Sequence, residues 1–301
     1  MDQFVHLREK LSRCCPSLEL RIQEPMSRHT SFHIGGPTAL MALPHTVEEA
    51  AAAVKTAAEL EIEPFFMGNG SNLLVADEGI ERFIVKTVPG LEECRLQGQD
   101  ILAGSGVPLA RLAVFVRDRS LTGLEFAHGI PGSLGGAVTM NAGAYEGEMS
   151  QVVQSVTCLT TQGSVETVTE CGFGYRHSCF SDGTRLILGA RLALKPGDTE
   201  TIRSKMEELS ARRHDKQPLE YPSAGSMFKR PEGYYAAALI DQCGLKGLTV
   251  GGAQVSEKHA GFVVNRGGAT CKDVLELVEQ VRTRVLAQTG VELEMEVRVL
   301  K

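Results

Sequence analysis

Five glycines fall within the fifteen residues 129–143, GIPGSLGGAVTMNAG, and this density constrains the chain more than any other stretch of it. Each glycine adds to the conformational entropy lost on folding. A loop that only joins two elements needs fewer, so the density fits backbone that must approach a flat or phosphorylated ligand closely. A second loop of this kind, Gly68-Asn69-Gly70-Ser71-Asn72, lies between the apolar runs PFFM and LLVA. Successive amides there can form an anion nest. A plain strand-connecting turn accounts for the same five residues, and the pentapeptide by itself leaves both readings open. Across the chain glycine reaches 32 of 301 residues, against an average of about 7%.

Neither loop matches a common nucleotide cradle. Gly104-Ser105-Gly106 comes nearest to the dinucleotide fingerprint, but Leu109 occupies the third glycine position and no helix is expected to start directly after it. No Gly-Lys-Ser/Thr sequence occurs, so a Walker A loop is absent. The charge balance narrows the partners further. Thirty-one Lys and Arg against 37 Asp and Glu give a net charge of -6, and no basic tract is present to grip a nucleic-acid backbone. No apolar run approaches the roughly 18 residues of a membrane-spanning helix, and the charged start MDQFVHLREKLSRCC has no signal-peptide core. The expectation is a cytoplasmic protein that binds neither nucleic acid nor membrane. The eight cysteines (Cys14, Cys15, Cys94, Cys158, Cys171, Cys179, Cys243 and Cys271) include no Cys-x-x-Cys pair, and the eight histidines no His-x-x-x-His pair. No metal site is expected, and most of the thiols are expected to be small core residues.

Hydrophobic spacing sets out the elements. Residues 1–24 predict an amphipathic helix and a strand; 39–44 predict a strand. A helix follows, opened by a Thr46–Glu49 capping box and stopped before Pro64. Strands over 64–68, 73–77 and 83–88 complete a βαββ opening. From 90 to 195 short runs alternate with glycine turns, including ILAGSGVPL, AVTMNAGAY, VVQSVTCLTT, SVETVTE and RLILGARLAL, which read as strands. One good helix, 108–120, interrupts them. KPGD marks a boundary, after which Thr199 starts a charged helix. Thr270 and Asp273 cap a further helix whose apolar stripe is Val274, Leu277, Val278, Val281, Val285 and Leu286, closed by Gly290. Residues 291–300 alternate strictly, with Glu292, Glu294, Glu296 and Arg298 on the polar face.

Three further segments carry chemistry-bearing residues. Tyr175-Arg176 in GFGYRHSCF places a guanidinium among aromatics and glycines, suited to clamping a carboxylate or phosphate; a surface arginine packing its stem is the plainer reading. Ser226 in PSAGSMFKRP has no nucleophile elbow and no general base nearby, so a hydrolase triad is unsupported. A hydroxyl that donates a proton needs none. Glu296 and Arg298 read by default as a solvated strand edge.

Taken in order, HTSFHIGG (29–36), MGNGSNLLV (67–75), AHGIPGSLGGAVTMNAGAYEGEM (127–149), FGYRHS (173–178), YPSAGSMFKRP (221–231), LIDQCGLKGLTVGGAQVSEKHAGFVVN (239–265) and LEMEVR (293–298) resemble the UDP-N-acetylenolpyruvoylglucosamine reductase (MurB) family of peptidoglycan synthesis, in its shorter form without an extra substrate-capping insertion. The resemblance spans nearly the whole chain. It implies an α+β chain: a two-lobed FAD-binding domain of the vanillyl-alcohol-oxidase (PCMH) type plus a C-terminal α/β substrate domain. The implied divisions are 1–88 and 89–196 for the two FAD lobes, 197–290 for the substrate, and a terminal strand, 291–301, carrying a catalytic glutamate.

The resemblance also implies an FAD-dependent oxidoreductase that takes hydride from NADPH and reduces the enolpyruvyl ether of UDP-N-acetylglucosamine to UDP-N-acetylmuramate. FAD is expected to be held noncovalently by Gly68, Asn69, Gly70, Ser71, Asn72, Gly129, Ile130, Pro131, Gly132, Ser133, Gly136, Asn141, Ala142 and Gly143. Arg176 matches the family arginine that stabilises the enolate left after hydride delivery. Ser226 matches the proton donor. Glu296 matches a glutamate whose protonated carboxyl, requiring a raised pKa, would hydrogen-bond the enolate. Tyr175, Lys229 and Arg230 are expected at the substrate, with Lys229 or a water relaying through Ser226. Arg230 stands where the family often has Asn, close to the expected substrate diphosphate. Lys216 and Arg213 are weighed for the same patch, against a solvated helix face. The competing readings are a different flavin oxidase on the same scaffold and a non-enzymatic UDP-sugar or nucleotide-binding module. GSMFK and LEMEVR argue against the first; both glycine loops argue against the second.

Overall fold

Apolar spacing forms the first helix, Gln3–Cys14, whose Phe4, Leu7 and Leu11 face inward. The computed structural model describes residues 3–301. Its chain divides into two units: one holds the segments up to Glu24, Ala39–Asn69 and Arg82–Ala211; the other holds Pro25–Thr38, Gly70–Glu81 and Arg212–Lys301.

Beside two short two-stranded sheets, two larger ones build the first unit. One has four strands in the order Glu19–Pro25, Pro37–Leu43, Ile80–Lys86, Pro64–Met67, the last two parallel. Helix Val47–Ala58 buries Ala50, Ala53, Val54 and Ala57, which join Leu7, Leu11, Phe83 and Val85 in one core. Half of the expected capping box forms. Thr46 accepts the Glu49 amide, while the Glu49 carboxylate takes the His45 amide at 2.7 Å. The second sheet has five strands, ordered Val165–Val168, Val153–Thr160, Arg185–Ala193, Asp100–Gly104, Cys94–Gln97, all antiparallel.

One segment of this unit departs from the sequence reading. AVTMNAGAY, expected as a strand, contributes to a helix, Leu134–Thr139, followed by a two-residue strand, Gly143–Ala144. Leu134, Ala137 and Val138 are buried at i, i+3 and i+4, which is a helical stripe. Gly135 lies so close to Ser105 that an added Cβ would stand 2.9 Å from the serine Cβ.

The second unit is built on a four-stranded antiparallel sheet, Ser223–Ser226, Phe262–Asn265, Ala253–Val255, Thr249–Val250. Helices Ala236–Gln242 and Cys271–Thr289 share its core, with Val274, Leu277, Val278, Val281 and Val285 buried. Leu286, expected in that stripe, is 49% exposed; next to Val285 it is turned about 100° away from the stripe. Strand Leu73–Val75 does not join a βαββ sheet. It pairs in parallel with Arg298–Leu300, so the expected ten-residue terminal strand is three residues long. The apolar side chains still alternate inward through Leu293 and Val297, but residues 294–296 bond to a different partner segment, which breaks the ladder.

Three cysteines of the eight are buried, Cys158, Cys171 and Cys271, fewer than expected. Burial pushes the Cys94, Cys171 and Cys271 thiols up to about 11, which leaves them little thiolate at neutral pH. No helix of the described residues is long and apolar enough to cross a membrane.

Both ends of the Cys271–Thr289 helix are closed. Thr270 and Asp273 form the reciprocal capping box, and Gly290 sits in the left-handed region at φ 72°. Asp77, far away in sequence, adds a second cap: its carboxylate accepts the amides of Cys271 (2.7 Å) and Lys272 (3.1 Å). Charge-assisted bonds to first-turn amides are worth about 1–2 kcal/mol together. Asp77→Ala is expected to lower unfolding free energy by that amount in urea titrations, with an unchanged m-value.

Candidate active site

In the first unit three loops converge. An added Cβ on Gly68 would meet the Ser133 hydroxyl at 2.2 Å. The Leu109 amide donates to Gly132 O, the Leu134 amide to Val107 O, and the Gly135 amide to Ser105 O. Thus the Gly104–Val107 turn and the Gly132–Gly136 loop pack backbone to backbone, and Gly68 packs against the Ser133 side chain. Gly136, by contrast, is exposed, and only Ser133 Oγ at 3.9 Å comes near its added Cβ. Some of the glycine density therefore serves protein packing, while Gly136 faces open space.

The cradle fits FAD on another count. The buried hydroxyls of Ser105 and Ser133, and Nδ1 of His128, find no hydrogen-bond partner among the described residues. Orphaned buried polar atoms are destabilising and rare in native folds, so the two serine hydroxyls, on loops that touch at Gly135, mark where a polar ligand belongs. Ser133 was expected. Ser105 carries no signal of its own in the sequence, where Gly104-Ser105-Gly106 is read only against the dinucleotide fingerprint. Gly129 and Ile130 follow a short 3₁₀ turn, Glu125–Ala127, held by the Ile130 amide to Ala127 O, and Pro131 is exposed.

Beside this cradle Asn141 is buried at φ 42°. Its side-chain amide donates to Gly174 O (3.1 Å), and its oxygen accepts the Ser150 amide (2.9 Å). Its side chain thus ties the 141–150 loop to the hairpin that presents Tyr175 and Arg176. Gly174 and His177 bond each other's backbone in both directions, at 3.0 and 3.2 Å. Arg176 takes φ 53°, its guanidinium donates to Gly143 O at 3.3 Å, and it lies 5.2 Å from the Tyr175 ring. Ala142 is half-buried against the core of this unit. The arrangement fixes a cation at the tip of a strained turn.

The second unit assembles the other expected residues. Ser226 ends its strand after a bulge, with a register shift between Ser223 and Ser226 and Gly225 at φ 78°; such a bulge re-aims the side chain that follows it. The next residues, 227–229, bond to 294–296. Glu296 N–H donates to Met227 O (2.9 Å), Lys229 N–H donates to Glu294 O (2.8 Å), and Phe228 bridges Met295. Lys229 also makes an ion pair with Glu294. Asn72 donates from its side chain to Glu296 O (3.2 Å) and accepts the Arg298 amide on its own carbonyl (3.0 Å). Gly70 accepts the Ser31 amide, and Ser71 is half-buried beside Asn72 in the turn. Arg230 is exposed and stacks on Tyr235 at 3.9 Å. Of the two residues weighed beside it, Lys216 is exposed and Arg213 is buried at 8% exposure. Ser226 and Glu296 are therefore brought to adjoining backbone, and Asn72 holds the glutamate's peptide.

Comparison with known proteins supplies the remaining observations. A family model described as "UDP-N-acetylenolpyruvoylglucosamine reductase, C-terminal domain" matches residues 217–300, and one described as "FAD binding domain" matches residues 38–169. A UDP-N-acetylenolpyruvoylglucosamine reductase of Alkaliphilus oremlandii is 46% identical over 292 residues, 96% of each chain. One of Clostridium novyi is 44% identical over 302 residues, covering 100% of this chain and 98% of that one. The crystal structure of the reductase from Thermus caldophilus superposes with a TM-score of 0.80 at 36% identity, over 94% of this chain and 99% of that one.

The orphaned hydroxyl gives a direct test of the cradle. Ser133→Ala removes a buried group that has no protein partner, so the apoprotein should be as stable as wild type or slightly more so. FAD retention on dilution should fall by about three- to tenfold, the worth of one hydrogen bond. A drop in apoprotein stability with unchanged FAD retention would assign the hydroxyl to the fold.

Proposed function

The chain belongs to the UDP-N-acetylenolpyruvoylglucosamine reductase family, and from that premise we propose how its own residues divide the work. The protein is an FAD-dependent oxidoreductase that uses NADPH to reduce a UDP-sugar, the enolpyruvyl ether of UDP-N-acetylglucosamine, to UDP-N-acetylmuramate in peptidoglycan precursor synthesis. Its order of elements is the expected α+β one, an FAD-binding domain followed by the family's C-terminal domain. Bound FAD supplies the hydride chemistry, taking hydride from NADPH and passing it to the substrate alkene.

The protein residues answer what hydride delivery leaves behind. The substrate carboxylate gains a second negative charge as an enolate, and a preorganised cation stabilises it without reorganisation. Arg176 fills that role: its backbone is locked by the Gly174–His177 turn, and its guanidinium is steadied on Gly143 O. The carbon beside the carboxylate then needs one proton. Ser226 donates it, and Glu296 supports the enolate oxygen as a hydrogen-bond donor. The observation that carries this pairing is the Glu296 amide bonded to Met227 O, which holds the glutamate beside the residue following Ser226.

Lys229 has two roles to reconcile. It pairs with Glu294, and its relay through Ser226 requires that exposed pair to open, which costs at most about 1 kcal/mol. Arg230 offers a charge-assisted contact to the diphosphate, with Tyr175 lining the substrate. Gly68, Asn69 and the 129–136 loop, with Asn141, Ala142 and Gly143, hold the FAD, the Ser105 hydroxyl joins them, and Gly70, Ser71 and Asn72 are assigned to FAD by their match to the family.

The test separates the two halves of the reaction. NADPH is added first in stopped flow, and bleaching of the flavin band is followed; the enolpyruvyl substrate is added second, and recovery is followed. Ser226→Ala should bleach at the wild-type rate and recover about 10²–10⁴-fold more slowly. Arg176→Ala should lose about 10²–10³-fold in recovery. Full recovery in Ser226→Ala would remove the serine from the mechanism, and no flavin band after FAD supplementation would remove the cradle.

A further inference from the structure

His259 falls within the 239–265 segment but has no role assigned above, and hydrogen bonds link it, through Gly261 and Met227, to the backbone that carries Ser226 and Glu296. Its turn is rigid. Ser256 Oγ accepts the amides of Lys258 and His259, each at 3.2 Å. The Ser256 amide donates to Phe262 O (2.9 Å), and the Phe262 amide donates to His259 O (3.0 Å). The Phe262 ring meets the imidazole edge-on, with centroids 5.0 Å apart. Gly261 is pressed against the same ring; an added Cβ would stand 3.1 Å from Cε1 and 3.2 Å from Nδ1.

The bonding then runs in one direction. His259 Nδ1 accepts the Gly261 amide at 3.2 Å. Gly261 O accepts the Met227 amide (2.8 Å), and Met227 O accepts the Glu296 amide (2.9 Å). The Met227 amide belongs to the peptide that follows Ser226. A series of bonds thus links the imidazole to Gly261, Gly261 to Met227 and Met227 to the Glu296 amide, with the Met227 N–H in the peptide that follows Ser226 and its carbonyl in the next. Because Gly261 donates, Nδ1 must carry a lone pair, which fixes the neutral Nε2–H tautomer. Protonation would set two donors against each other and break the chain at its first link.

We propose that His259 is a positioning residue for the proton-delivering half-reaction, holding Ser226 and Glu296 in register through hydrogen bonds that only a neutral imidazole completes. The proposal rests on the roles given to Ser226 and Glu296 above. The charges around the ring agree with it. Lys246 pairs with Asp241 (2.7 Å). Lys258, on the ring's own turn, reaches back to His214 O (2.6 Å). Glu257 turns toward Gly247, and Lys216 closes the Thr199–Lys216 helix beside Asp215. Burial is the largest influence and, with lesser contributions from Lys246 and Lys216, holds the imidazole below its ordinary 6.5, against an upward pull from its own backbone that ranks second. At neutral pH the ring is therefore neutral. As pH falls through the folded-state pKa, the acceptor is lost and proton delivery slows.

The experiment uses the FAD-loaded enzyme and reads recovery of the bleached flavin band on adding the enolpyruvyl substrate, between about pH 5 and pH 8, the range in which histidine titrates. Bleaching by NADPH in the same samples reports fold and FAD content. Wild type should lose recovery rate on the acid side. His259→Asn keeps an acceptor oxygen in place of Nδ1 but does not titrate, so it should retain the neutral-pH rate and lose the acid limb. His259→Phe should recover at least about tenfold more slowly at every pH, since small misplacements of reacting groups are costly. Wild-type recovery in His259→Phe, or an acid limb that persists in His259→Asn, would overturn the proposal; if His259→Phe does not hold FAD, the asparagine comparison decides alone. Failure of the underlying reading looks different: Ser226→Ala would then recover as fast as wild type, and the role of His259 would fall with it.

Discussion

The second unit depends on a change of hydrogen-bonding partner at Val297. Before it, residues 294–296 bond to the backbone of 227–229. After it, residues 298–300 pair with 73–75. Asn72 spans the change, holding the carbonyl of Glu296 and receiving the amide of Arg298. Leu293 and Val297 are buried on either side, so the register is pinned: a slip of one residue would drive Glu296 inward and an apolar side chain outward. The glutamate's position therefore follows from the packing of its apolar neighbours as much as from any polar contact it makes.

That dependence explains what the sequence made legible and what it did not. The alternation of 291–300 disclosed the two faces, and burial follows it. Alternation says nothing about which strand is the partner, and it could not reveal that two partners share the segment. The Thr270 box and Gly290 were legible because a helix cap is a local signal a few residues long. The Asp77 cap was not, since it joins positions separated by 194 residues. AVTMNAGAY reads as a strand because it holds the β-branched pair Val138-Thr139 before a glycine turn, while the helical stripe begins upstream at Leu134.

The site residues divide in the same way. Arg176, Ser226 and Glu296 each had a plainer reading in isolation, and only the ordered series of motifs raised them above it. Ser105 carried no such signal, and His259 lay within the 239–265 segment with nothing in it to mark a role. A serine in a Gly-Ser-Gly turn is ordinary, and its meaning appears only when the folded chain leaves its hydroxyl buried and unmatched. His259 matters through the backbone of Gly261 and Met227, which links its ring to Glu296, a relation that exists only in three dimensions.

The backbone of the first unit shows how such a site is kept rigid. Asn141, Tyr145, Glu146 and Arg176 all take positive φ without being glycine, at a cost of order 1 kcal/mol each. Tyr145 and Glu146 form the turn between strands Gly143–Ala144 and Gly147–Glu148, a position that favours Asn or Gly. Gln151 reaches back to the Glu146 carbonyl, and the Asn141 side chain closes both the Ser150 amide and the Gly174 carbonyl. The strained residues are thus bracketed by hydrogen bonds from neighbouring loops, and Arg176 sits at the end of that bracket. A cation held this way has little freedom to follow its ligand. That suits a group whose work is to meet charge as it develops, because a flexible arginine would give up in reorganisation much of the stabilisation it offered.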